Sequence, residues 1–282
     1  MSRPRRLVVG NALAGVASFA VVAIALLPVL WGLSTSLKPA AQILTFPPKW
    51  LPDPPTLTSY VQVWEQSNLP IYFRNSVIVT LAALVVALIV AVHCAYAMAR
   101  FRFVGKNLVL VALLATSMIP GIAILVPLYD LSVHAKLYDT FAGLVIVYAA
   151  WNVPILVWLL RGFFESVPVE LEEAARIDGC SRLRAFYKIV LPMSQPGLLA
   201  AAIMVIMFVW NDFLIAFALT ISENRRLLSV GLYTYISNYG VEWGQLTAAT
   251  MIALVPVVAV FWSVTICFAK RHPRSSPMLR ML

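Results

Sequence analysis

Residues 168–192 read PVELEEAARIDGCSRLRAFYKIVLP, and how this stretch is understood decides how the rest is understood. It is the one long polar interruption in the second half of a chain otherwise dominated by apolar runs, and it holds the densest mixture of acid and base. Pro168 suits a first helical turn, where its missing N–H costs little. Glu170, Glu172 and Glu173 follow, near the positive end of the helix dipole. Leu171, Ala174, Ala175 and Asp178 recur at helical spacing and predict a small, mostly apolar face. Glu172 is placed to pair with Arg176 one turn on. Gly179 predicts the helix end, because glycine takes the left-handed cap conformation cheaply. Ser181 predicts the cap of a second helix. In that helix Leu183, Phe186, Tyr187 and Val190 form a bulkier apolar face, and Pro192 closes the segment. Periodicity alone leaves two readings open, an amphipathic pair resting on a membrane surface or a protein-docking element.

The flanking sequence is that of a membrane protein. Of 282 residues, 61% are hydrophobic and 12% charged, with mean hydropathy +0.87; about a quarter are charged in a soluble domain. Runs long enough to cross a bilayer, at ~20 residues each, lie within Leu7 to Leu37, Asn75 to Ala99, Asn107 to Tyr129, Thr140 to Leu160, Met193 to Ser222 and Trp243 to Ala269. The prediction is an all-α protein with six transmembrane helices. A β-barrel would need alternating strands about half as long. With the N-terminus inside, the larger share of the 21 Lys and Arg falls on inner segments, so both termini are expected in the cytoplasm. The net charge of +9 reflects this bias and contact with anionic lipid, not nucleic-acid binding. The N-terminal apolar run is too long for a signal peptide and reads as a retained first helix.

Lys38 to Tyr72 is an external segment in which Pro39, Pro47, Pro48, Pro52, Pro54 and Pro55 rule out regular helix over much of it. Trp50, Tyr60, Trp64 and Tyr72 are candidate interfacial anchors. Pro120, Gly121 and Pro127 fall in helix three, Pro154 in helix four and Pro256 in helix six. Each alone reads as a packing kink; together they suggest a bundle built to change shape. His93 reads as an interhelical hydrogen-bond partner before it reads as a proton relay. Trp210, Asn211 and Asp212 sit around the middle of helix five, where an acid costs ~3 kcal/mol on insertion scales. Two readings that do not exclude one another are open: they line or gate a translocation path, or they form an interhelical hydrogen-bond network. Glu223 to Gly240 is polar and external, and its tyrosines suit a sugar or a protein. Cys94, Cys180 and Cys267 show no metal spacing, and no metal site is expected. No phosphate-cradling loop, HExxH or GxSxG occurs, so no enzyme activity or cofactor is expected in this chain.

Glu173, Ala174, Ala175, Gly179, Ile189, Leu191 and Pro192 match, in identity and spacing, the cytoplasmic loop signature of ABC importer permeases. The blocks FPPKWLPDPPTLTSYVQVW, FRNSVIVT, AYAMARFRFVGK, MIPGIAILVPLYD, PVELEEAARIDG and VWNDFLIAFAL resemble the carbohydrate-uptake branch, on the side of the second, maltose-type permease subunit. The one departure is Cys180, where alanine is common. The resemblance implies a type I, maltose-permease-like fold over a single domain, residues 1–282. Its core helices would span about 72–270, with a cytoplasmic coupling loop at 163–192. It implies a plasma-membrane subunit of a binding-protein-dependent importer of a sugar or oligosaccharide. The implied partners are a second, different permease, two ATPase subunits carrying ATP and Mg, and an extracytoplasmic solute-binding protein. The loop would seat in a cleft on an ATPase. A late outer loop around Tyr233, Tyr235, Asn238, Tyr239 and Glu242 would probe the binding protein. Glycerol-3-phosphate or a related phosphodiester or polyol is the rival substrate. An ion-coupled secondary transporter is the rival class; it would call for inverted repeats, which the sequence does not display.

Overall fold

Small residues at every fourth position write a buried seam into the second apolar run. Val79, Ala83, Ala87, Ala91 and Ala95 are all fully buried, while Leu81, Val85, Ile89 and Val90 between them stay exposed. That division is the one a helix in lipid needs, with small residues where helices approach closely and large aliphatics outside.

The computed structural model describes residues 3–237 and 240–271, with side chains over 14–237 and 240–266. In chain order the elements are α1 (Arg3–Ser36), α2 (Ala40–Ile43), α3 (Thr58–Glu65), α4 (Leu69–Arg100), α5 (Lys106–Thr116), α6 (Gly121–His134) and α7 (Phe141–Ser166). Then come α8 (Val169–Ile177), α9 (Arg182–Ala185), a π-turn (Phe186–Val190), α10 (Leu191–Met193), α11 (Gln195–Asn211), α12 (Leu214–Leu219) and α13 (Leu228–Tyr233). An antiparallel pair, β1 (Ile236–Ser237) and β2 (Gly240–Val241), precedes α14 (Trp243–Arg271). Among the described residues, four helices are long and apolar enough to cross a membrane by length and composition; the number is six if each of two bent pairs counts as one span.

Two of the six expected spans are each built from more than one helix. Expected helix three is two helices, α5 and α6, meeting at 94°. Pro120 has no N–H to continue α5; it enters α6 in an extended conformation, ψ 129°. The Trp151 ring lies 3.6 Å from where a Cβ on Gly121 would stand, so the break is packed against α7. Expected helix five does not run through Asp212 either, because α11 ends at Asn211 and α12 starts afresh at Leu214. Pro127, Pro154 and Pro256 stay inside helices, as does Pro28 in α1.

Contacts divide the chain into two units. The first, Met1–Leu69 with Leu232–Val255, holds the proline-rich segment. The Thr56 amide donates to the Leu37 carbonyl (2.8 Å), Ser36 Oγ meets Tyr60 Oη (2.8 Å), and Trp31 stands edge-on to Trp50 at 5.0 Å. Lys38 covers the Trp31 face, its ammonium 4.1 Å from the ring centre. Trp50 and Trp64 are exposed, as interfacial anchors would be.

The second unit, Pro70–Gly231 with Pro256–Leu282, holds the hydrophobic core of α4, α7 and α11. Tyr72 belongs to it and is buried, 4% exposed, so it is no interfacial anchor. A Cβ on Gly231 would fall 2.2 Å from its ring. Gly197 lets α11 meet α7: a Cβ there would stand 2.4 Å from Phe163 Cγ. Gly197→Leu is therefore expected to force these helices apart, at about 1–3 kcal/mol for overpacking. Gly162→Ala, with open space at its Cβ, should leave stability unchanged or slightly raised. Thermal melting of the two detergent-purified variants checks the contrast.

Asp139 braces the far ends of α7 and α12. It holds φ +56°, its amide donates to the Leu219 carbonyl (3.0 Å), and its carboxylate accepts from the Ile221 and Ser222 amides (3.0 and 3.1 Å) and from the Ser222 hydroxyl. Burial alone would raise its pKa; these hydrogen bonds, with Arg225 nearby, outweigh it and hold the carboxyl below the usual 3.8. A depressed carboxylate pKa stabilises the fold above the unfolded value and loses that contribution as pH falls through the folded one. Melting temperature should accordingly fall as pH drops below 3.8, and Asp139→Asn should flatten that part of the curve.

Candidate functional site

The loop after α7 is built as two helical pieces around a tight turn. Pro168 caps α8 in an extended conformation, and Glu170 and Glu172 occupy its first turn. At its end the Cys180 amide donates to the Ala175 carbonyl (2.9 Å) and the Gly179 amide to Arg176 (3.1 Å), with Gly179 at φ +84°. This doubly bonded left-handed cap needs a residue that accepts positive φ. Ser181 Oγ then accepts from the Arg184 amide (3.3 Å) and starts α9. Helix continues through the π-turn and α10 to Met193, past Pro192, and the chain turns by 76° into α11. Ser194, not Pro192, is the break: helical backbone runs on past Pro192, and the chain leaves it at Ser194, with ψ 13°.

The faces of α8 are not those the periodicity predicts. Leu171, Ala174 and Asp178 are exposed, and the buried position is the acid Glu172, 6% exposed. Glu172 does not pair with Arg176. Its Oε2 accepts from Tyr96 Oη (2.7 Å) and its Oε1 from Arg100 Nε, both on α4. Arg100 Nη2 also donates to the Val167 carbonyl (2.7 Å), at the end of α7. The long-range pair wins because a buried carboxylate must be neutralised and hydrogen-bonded, and only α4 brings both donors. Phe186 packs beneath, 4.3 Å from the Tyr96 ring and 5.9 Å from Phe164. Of the second helix's expected apolar face, Phe186 and Val190 are buried, while Leu183 and Tyr187 are exposed. Tyr187 Oη lies 2.7 Å from His93 Nε2, whose Nδ1 is 2.7 Å from the Ile89 carbonyl. A carbonyl only accepts, so Nδ1 carries a proton; through its contact with Tyr187, His93 is a hydrogen-bond partner between elements.

The seven signature residues divide by role. Glu173, Ala174 and Gly179 are exposed, with Ala175 half-buried behind them; Ile177 beside them is 87% exposed. Ile189 and Leu191 are half-buried, and Pro192 is exposed. The result is an open face of small and aliphatic residues on a helix whose opposite side is fastened to the bundle.

At the second candidate site Trp210 is buried edge-on to Phe73 at 5.7 Å, and Asn211 is exposed with its amide donating to the Met207 carbonyl (2.8 Å). Asp212 lies between them and α12 in extended backbone, ψ 126°. Its Oδ2 accepts from Tyr148 Oη (2.9 Å), Ile215 N (3.0 Å) and Ala216 N (3.3 Å); Ser229 Oγ donates to its carbonyl (2.6 Å). An acid inside a membrane protein is explained here by a helix start that must be capped. At the third, Tyr233 and Glu242 are exposed, and Tyr235 is 8% exposed with its hydroxyl 3.0 Å from Ser67 Oγ. Asn238 and Tyr239 lie outside the described residues.

A family profile described as "Binding-protein-dependent transport system inner membrane component" matches residues 83–272. The chain belongs to this family. It is 37% identical over 240 residues to the diacetylchitobiose uptake system permease protein NgcG of Streptomyces coelicolor, covering 84% of this chain and 79% of that one. It is 34% identical over 232 residues to the sulfoquinovosyl glycerol transport system permease protein SmoH of Agrobacterium fabrum, covering 82% and 81%. It is 34% identical over 240 residues to the trehalose transport system permease protein SugB of Mycobacterium tuberculosis, covering 84% and 87%. Among solved structures, a bacterial ABC transporter involved in the import of the acidic polysaccharide alginate aligns with TM-score 0.77 at 25% identity, covering 94% of this chain and 98% of that one. The fold is thus that of a type I ABC importer permease, and the chain is an inner-membrane transport subunit rather than an enzyme.

Neither Tyr96 nor Arg100, which reads from the sequence as a headgroup anchor at the end of α4, is legible as a partner of Glu172. The available signal is their spacing, four apart at the basic end of α4, which puts a hydroxyl and a guanidinium on one face.

Proposed function

We propose that this permease serves an ATP-driven importer that moves a sugar or oligosaccharide across the plasma membrane. A second, different permease, two ATPase subunits and an extracytoplasmic solute-binding protein complete it. The observation that carries this reading is the two-sided α8, fastened by Glu172 and open along Glu173, Ala174 and Ile177. The open face is the docking surface for an ATPase, and Ala175, Gly179, Ile189, Leu191 and Pro192 shape and support it. ATP and Mg bind to the ATPase. Asn211 is the exposed polar group of the candidate path, with Trp210 and Asp212 holding the break beside it. The segment around Tyr233, Tyr235, Asn238, Tyr239 and Glu242 is the surface offered to the binding protein. Relatives named for diacetylchitobiose, trehalose and sulfoquinovosyl glycerol, and a structure named for alginate, favour a carbohydrate.

The test is to purify the permease with its partners, identify the binding protein, and titrate it with neutral oligosaccharides, acidic sugars and glycerol-3-phosphate. Binding of a carbohydrate, with uptake requiring ATP inside vesicles, is expected. Binding of glycerol-3-phosphate alone would replace the substrate. Orientation is tested by single cysteines in a cysteine-free background. One at Asn224 should react with a membrane-impermeant thiol reagent from outside, and one at Ser166 should not; both positions are exposed. Labelling of Ser166 from outside would reverse the topology.

A further inference from the structure

We infer that Glu172 is a positioning residue that fastens α8 to the inner end of α4, so that the loop and α4 move as one body when the loop is pushed. The inference rests on the docking assignment for its use in transport, but the fastening itself is a property of this chain. The signature positions next to Glu172 face outward, whereas Glu172 is buried and satisfied on both oxygens by α4 side chains, Tyr96 at 2.7 Å and Arg100 beside it. Arg100 uses a second nitrogen for the Val167 carbonyl, at 2.7 Å, so one guanidinium holds the first turn of α8 and the last of α7 together. Phe186 fills the space under the same tyrosine. The covalent route out of the loop is different. It passes through the 76° bend at Ser194, whose hydroxyl is buried without a hydrogen-bond partner. Such an element terminus is where hinge motion is absorbed. A displacement of α8 is therefore delivered first to α4, which is 72 residues away in sequence, and not to α11, which follows the loop directly.

Removing the charge on Glu172 should loosen this joint without removing the docking face. A permease that is merely less stable gives fewer working complexes but an unchanged amount of solute moved per ATP. A permease whose loop slips on α4 hydrolyses ATP without moving solute. The experiment places spin labels at Glu170 and Ile89, both exposed, in a cysteine-free background, and measures their distance distribution in the assembled importer with and without ATP. The wild-type distance should be narrow and the same in both states. Glu172→Gln should broaden it and lower solute moved per ATP roughly tenfold, in keeping with loss of a buried charge pair. Tyr96→Phe, which keeps the ion pair, should fall between. A wild-type distance that changes with ATP, or a Glu172→Gln variant with a narrow distance and unchanged solute per ATP, would overturn the inference. The distance in the permease alone separates the two ideas. If the ATPase proves not to dock on α8, the broadening by Glu172→Gln still decides whether the fastening exists.

Discussion

Gly179→Val is expected to abolish most coupled transport while leaving insertion and yield intact. Gly179 holds φ +84°, and no neighbouring atom lies within 4 Å of where its Cβ would be, so the effect is one of backbone conformation and not of collision. A non-glycine residue in the left-handed region costs about 1–2 kcal/mol, and valine, β-branched, more. The cheapest relief is to unwind the cap, releasing the bonds from the Cys180 and Gly179 amides and swinging α8 away from α9. Because each 1.4 kcal/mol is a factor of about ten in an equilibrium, transport and solute-stimulated ATP hydrolysis should fall roughly tenfold or more. Gly179→Asn should lose much less, since asparagine tolerates positive φ. Equal uptake by the valine variant and wild type would count against docking through this turn.

The second large effect is at Asp212. Three donors converge on Oδ2: the hydroxyl of the fully buried Tyr148 and the amides of Ile215 and Ala216. Asp212→Asn keeps an acceptor oxygen there and should retain much of the transport. Asp212→Leu leaves the donors orphaned, at about 1–3 kcal/mol for each one buried, and should lose both thermal stability and transport. Uptake into vesicles by wild type and both variants, with ATP inside and with a pH gradient alone, reads this out. Uptake driven by the gradient alone and lost in the asparagine variant would make Asp212 a proton site and the protein an ion-coupled transporter.

What the sequence reveals follows physical range. The cap at Gly179 and Ser181 is legible because it is made by residues within five of one another, and turn chemistry is local. The apolar runs are legible because bilayer thickness fixes their length. The breaks at Pro120 and Asp212 are half-legible. A proline or an acid in an apolar run announces trouble, but whether it yields a kink or a new helix depends on Trp151 and Tyr148, which no local pattern supplies. The partner of Glu172 is not legible at all. Arg176 lies one turn away and satisfies the pairing rule, yet such an exposed pair contributes only about 0.3–0.5 kcal/mol. Burial against α4 offers two donors and an aromatic floor, and it decides the face of α8. The same limit applies to Tyr72, which reads as an interfacial aromatic but lies against Gly231.

On the proposed reading an ATPase seats on the open face of α8. Cross-linking from a cysteine at Ala174, exposed on that face, tests it most directly, with a cysteine at Ile89 on the exposed side of α4 as the control. The predicted result is a specific adduct between Ala174→Cys and the co-purified ATPase subunit, with none from Ile89→Cys. An importer that transports normally yet gives no adduct from Ala174→Cys, or the same adduct from both positions, would contradict the account.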